Sequence, residues 1–98
     1  MDIEKVKKEI VDIIIGELKD CDCSAFFFGS RITGTATERS DLDVGIEFSN
    51  EHVPTEIFSK IKSRCEAIRT LYSIDVVDFY YLSEEFKRVA KSKIEVIK

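Results

Sequence analysis

The chain has 98 residues with 44% apolar, 35% charged and 10% aromatic side chains, an ordinary globular mixture that excludes disordered, collagenous and low-complexity classes. That length gives one domain, 1–98, with a modest core and little protein to spare for a second substrate-binding unit. Fifteen basic against nineteen acidic residues leave a net charge of −4, which counts against a protein that coats nucleic acid but not against a nucleotide brought in with divalent metal.

Met1 to Lys5 lacks a basic region ahead of an apolar core, so no signal peptide is expected. Residues 2–19 repeat apolar positions at Ile3, Val6, Ile10, Ile13, Ile14 and Leu18, which is helical spacing. The run Ile10 to Ile15 is six residues long and contains Asp12, far short of a membrane span. The turn at Asp20 to Ser24 holds Cys21-x-Cys23, which has no second ligand pair for zinc. Three cysteines cannot all pair within the chain, and they read as reduced thiols of a cytoplasmic protein. Ala25 to Phe28 reads as a buried strand that Gly29 stops, and a turn or short helix follows. From Leu42 to Phe48 the alternation is strict: Leu42, Val44, Ile46 and Phe48 share one face, and Asp41, Asp43, Gly45 and Glu47 share the other. Pro54 suits the start of a helix predicted to run to about Leu71. Ser73 to Tyr81 reads as a third strand, Ser83 caps a last helix, and Ile94 to Ile97 adds a short edge strand.

The informative stretch is Phe28-Gly29-Ser30-Arg31-Ile32-Thr33-Gly34, followed by Ser40-Asp41-Leu42-Asp43. Glycine after a strand lets backbone approach a ligand, and free N–H groups there favour phosphate oxygens. Gly-Ser alone is a common turn, and the Gly-Lys-Ser/Thr ending of a Walker loop is missing. Asp41 and Asp43 alter the balance. At i and i+2 they lie on one strand face about 7 Å apart at the backbone, and such hard oxygen ligands suit Mg²⁺ shared with substrate phosphates. Asp75 and Asp78 offer a third carboxylate on the next strand. Three residues apart, they point to opposite faces, and periodicity leaves open which of them meets Asp41 and Asp43.

Together, Gly29-Ser30, a ten-residue spacer, Asp41-x-Asp43 and a later hydrophobic-Asp-hydrophobic strand resemble the nucleotidyltransferases of the DNA polymerase β superfamily. The likeness is strongest to the small minimal nucleotidyltransferases, whose Gly-Ser-Arg and Ser-Asp-Leu/Ile-Asp segments read much like Gly29-Ser30-Arg31 and Ser40-Asp41-Leu42-Asp43. It covers nearly the whole chain. The resemblance implies an α+β fold with an α/β-type core, a small mixed sheet flanked by helices in the order α-β-α-β-α-β-α. It implies transfer of a nucleoside monophosphate, AMP from ATP, to a hydroxyl, with Gly29, Ser30, Arg31 and Ser40 on the nucleotide. Asp41, Asp43 and Asp75 would bind two Mg²⁺ ions, with Mn²⁺ as a substitute. The third carboxylate of the family is the one centred in a hydrophobic triplet, here Ile74-Asp75-Val76. Many relatives carry a basic residue before the second glycine where this chain has Thr33, and Arg31 is the candidate to replace it.

The single-domain members resemble antitoxins paired with a helical HEPN-type partner protein, which is the expected acceptor in a homo- or hetero-oligomer. A binding-only antitoxin, a regulatory nucleotide-binding module and the catalytic subunit of a drug nucleotidyltransferase are the alternatives. Three mutually repelling carboxylates favour the enzyme. His52 reads as an exposed, inert loop residue, and Tyr72, Tyr80 and Tyr81 as core and sheet surface.

Overall fold

A computed structural model describes residues 3–29 and 42–98. Helix α1 (Ile3–Leu18) leads into strand β1 (Cys23–Phe28), and β2 (Leu42–Phe48) is followed by α2 (Thr55–Glu66) and β3 (Ile74–Asp78). A 3-10 turn (Phe79–Tyr81), helix α3 (Glu84–Ala90) and β4 (Glu95–Val96) complete the chain. The sheet order is β3-β2-β1-β4, with β2 parallel to β3 and the other pairs antiparallel. This is the expected α+β architecture with a small mixed sheet. The helix or turn expected between β1 and β2 lies outside the described residues.

The two faces of the sheet bury different clusters. Alternation sends Ala25, Phe27, Leu42, Val44 and Ile46 toward α1 and α2, where they meet Val6, Ile10, Ile14, Leu18, Ile61 and Cys65. An ion pair of 2.7 Å between Arg64 and Glu17 ties α2 to α1. Burial pushes the Cys65 thiol up to about 11. On the opposite face Phe26, Phe28 and Phe79 form a smaller cluster, covered by Leu82, Ala90 and Ile94.

Two boundaries differ from the sequence expectation. Helix α2 ends at Glu66 rather than near Leu71: the Ile68 N–H bonds the Cys65 carbonyl three residues back at 3.1 Å, and further on the Thr70 hydroxyl accepts the Tyr72 N–H at 3.1 Å in a turn. Leu71, the expected end of that helix, is 99% exposed. Strand β3 stops at Asp78, whose carboxylate accepts the Tyr80 N–H at 3.0 Å and starts the 3-10 turn. Tyr80 and Tyr81 therefore leave the sheet and are exposed. The Ser83 cap is as expected, its hydroxyl accepting the Phe86 N–H at 3.1 Å, and β4 pairs with Phe26 and Phe27. Among the described residues no helix is long and apolar enough to cross a membrane.

Candidate active site

Strand β1 ends where β2 and β3 begin, so three strand termini meet at one end of the sheet. The Leu42 N–H donates to the Ser73 carbonyl at 2.8 Å and aligns the starts of the two parallel strands. The resulting register pairs Asp43 with Asp75, while Phe28 of β1 sits opposite Asp43 on its other side. Residues paired in register share a face, and neighbouring strands are about 4.8 Å apart. One row across the sheet therefore reads Phe28, Asp43, Asp75. Asp43 is half-buried and Asp75 is exposed.

Asp78 pairs with Ile46 on the opposite face. Both of its carboxylate oxygens are occupied, one by the Val53 N–H at 2.9 Å and the other by the Tyr80 N–H at 3.0 Å. Glu47, on the Asp43 face, binds Lys91 at 2.7 Å. Of the two aspartates left open on the third strand, the fold brings Asp75 to Asp43 and assigns Asp78 to the backbone.

Gly29 closes the row from above. It has φ +90, a conformation that side chains rarely adopt, and a Cβ there would strike the Asp43 carboxylate, lying 3.2 Å from Cγ. Backbone and carboxylate thus touch only because this residue has no side chain. Ser30, Arg31, Ser40 and Asp41 lie outside the described residues, and among the described residues no three acidic, His or Cys side chains converge as a metal cage. His52 is exposed and its Nδ1 contacts the Val53 carbonyl at 2.9 Å.

Phe79 was not apparent from the sequence. Its ring is fully buried and meets Phe26 and Phe28 edge-on, at 4.9 and 5.1 Å between centroids. The rings fit because Gly45 is bare: a Cβ would come within 2.5 Å of Phe26 and 2.6 Å of Phe79. A glycine inside an otherwise regular strand was the available signal for such a close approach.

A mixed sheet flanked by helices, with paired aspartates at the head of its two parallel strands, is the fold of a nucleotidyltransferase core. The chain matches the Polymerase beta, Nucleotidyltransferase family over residues 8–98 and belongs to that family. It is 29% identical over 97 residues to a protein of Haemophilus influenzae described as the probable protein adenylyltransferase MntA, a likeness spanning 99% of this chain and 83% of that protein.

Proposed function

We propose that this chain is a divalent-metal-dependent nucleotidyltransferase that moves AMP from ATP onto a hydroxyl of a partner protein. The observation that carries this reading is the Asp43–Asp75 register beneath Gly29. The residues fit a hard cation. Two carboxylates side by side repel by about 1 kcal/mol at 4 Å in water and about 4 kcal/mol where solvent is partly excluded, and oxygen donors of this kind suit Mg²⁺ or Mn²⁺.

Asp41, Asp43 and Asp75 would hold two Mg²⁺ ions. Metal bound there supplies the positive charge that offsets the triphosphate and the attacking and leaving oxygens of an in-line displacement. The chain's own groups position the reactants. Asp43 is fixed by its half-buried place in the row, and Asp75, being exposed, reaches the acceptor hydroxyl and takes its proton. The hydroxyl oxygen forms its bond to the α-phosphorus as the bond to pyrophosphate breaks. We assign Gly29, Ser30, Arg31 and Ser40 to the triphosphate, as the family resemblance implies.

A protein acceptor is supported by the description of the Haemophilus relative as a protein adenylyltransferase. We assign the acceptor to a helical HEPN-type partner, which makes this chain the antitoxin of a pair working in the cytoplasm. The test is incubation of the chain with that partner, α-labelled ATP and Mg²⁺, reading label in the partner. Label that persists in Asp43→Ala, or that requires no partner, refutes the assignment.

A further inference from the structure

Strand β3 is an edge: among the described residues it pairs with β2 on one side and with no strand on the other. A groove of about 360 Å³ lies against it, lined by Phe58, Val76, Val77, Asp78, Tyr81 and Leu82 among others. Val76 and Val77 are consecutive strand residues, so their side chains point to opposite faces. Both line the same groove, which therefore wraps around the outer edge of the strand. Phe58 of α2 closes it from one face, and Tyr81 and Leu82 close it from the other. Exposed Tyr81, with the His52 ring stacked 6.3 Å away, forms its lip.

Charge around this edge is predominantly acidic. The segments that line the groove, residues 51–58 and 74–82, contain Glu51, Glu56, Asp75 and Asp78 and no lysine or arginine. Lys62 of α2 lies beside them, its Nζ 5.7 Å from the centre of the Phe58 ring.

We propose that the outer edge of β3 docks an extended, basic segment of a partner protein, added as a further strand with one apolar side chain in the groove. An open strand edge offers a row of backbone donors and acceptors, and the adjoining pocket selects the side chain. The acidic surround selects Lys and Arg on the incoming strand. The same charge disfavours a second copy of this chain, because pairing β3 with itself gathers Asp75 and Asp78 of both copies along a single seam. From Asp78 back to Asp75 is about 10 Å at strand rise, so a segment anchored in the groove runs directly to Asp75. Only that last link, delivery of a partner's hydroxyl to the carboxylates, rests on the transfer reading above. Docking requires neither nucleotide nor metal.

The experiment is titration of the full chain, without ATP or Mg²⁺, with a fluorescent peptide alternating Lys or Arg with Val and Leu, and with its Glu-substituted counterpart. Backbone amide resonances are followed in parallel. Saturable binding of the basic peptide is expected, with the largest amide changes over Ile74–Asp78 and about tenfold weaker affinity, some 1.4 kcal/mol, in Tyr81→Lys and in Glu56→Lys. Both positions are exposed, so the variants fold. Equal binding of the acidic peptide, amide changes confined elsewhere, absence of saturable binding, or a concentration-dependent dimer through β3 would each overturn the proposal. None of these outcomes bears on label transfer, which is measured separately.

Discussion

Replacing Gly29 by alanine perturbs two things that can be separated. The first is the backbone: φ is +90, and holding an L-residue in the left-handed half of the map costs about 1–2 kcal/mol. The second is the contact with Asp43. The new Cβ would overlap the carboxylate, so Asp43 must leave its rotamer at about 0.5–1.5 kcal/mol. The sum is about 1.5–3.5 kcal/mol, which lowers the melting temperature by about 6–28 °C in a chain this short. A double-mutant cycle with Asp43→Ala resolves the two parts. The added Cβ lies 3.4 Å from the Cβ of Asp43, an ordinary contact, so truncating Asp43 removes the collision and leaves the backbone strain. Urea unfolding of the four proteins should give a coupling of about 1 kcal/mol, with Gly29→Ala milder in the Asp43→Ala background. A cost below about 0.5 kcal/mol for Gly29→Ala, or zero coupling, would refute the contact between this glycine and the carboxylate.

Asp75→Asn should abolish transfer and leave the melting temperature unchanged or higher, whereas Asp78→Asn should cost about 1–2 kcal/mol by weakening two backbone hydrogen bonds; parallel melts and label-transfer assays decide, and the reverse order means the assignment is wrong. Gly45→Ala should destabilise by about 1–3 kcal/mol through overpacking, with Phe79→Leu recovering part of the loss in urea titrations. ATP should bind weakly in EDTA and clearly with millimolar Mg²⁺, since unscreened carboxylates repel the triphosphate; calorimetric titration giving equal affinity in EDTA would place the nucleotide elsewhere. The folded chain holds the Cys65 proton up to about pH 11, above the ordinary thiol value, so between pH 9 and pH 11 the unfolded state binds fewer protons and stability falls as pH rises. Cys65→Ala should flatten that decline in pH-dependent melts.

Much of the fold is legible because period is a strong signal where one face is buried. Leu42 to Phe48 alternates without exception, and the stripe from Ile3 to Leu18 fits only a helix. Segment ends were less legible, since they depend on side chains that bond backbone. Nothing in the composition of Arg69 to Tyr72 distinguishes a last helical turn from the Thr70 turn, and the β-branched and aromatic run to Tyr81 conceals the stop at Asp78. For the candidate site, residue type and spacing single out the aspartates as candidates, but period alone assigns Asp75 and Asp78 to opposite faces without saying which face is which. That choice depends on register against β2, which is a long-range property. The edge groove escaped for the same reason, because Phe58 and Tyr81 meet only after α2 and the 3-10 turn are docked.

Register is also where stability and chemistry meet. Parallel strands require a crossover of a dozen residues or more, which α2 provides, and a slip of one residue would turn every side chain of β3 to the other face. Asp75 would then pair with Leu42 on the buried face, and Val76 would take its place beside Asp43. Two bonds oppose such a slip. At one end the Leu42 N–H holds the Ser73 carbonyl, and at the other the Asp78 carboxylate holds the Val53 N–H just beyond β2. Asp78 therefore acts from the far end of the strand and the opposite face, by keeping Asp75 in register with Asp43. One aspartate spends its charge on the backbone so that the other can remain exposed, and losing the first should loosen the geometry of the second without touching it.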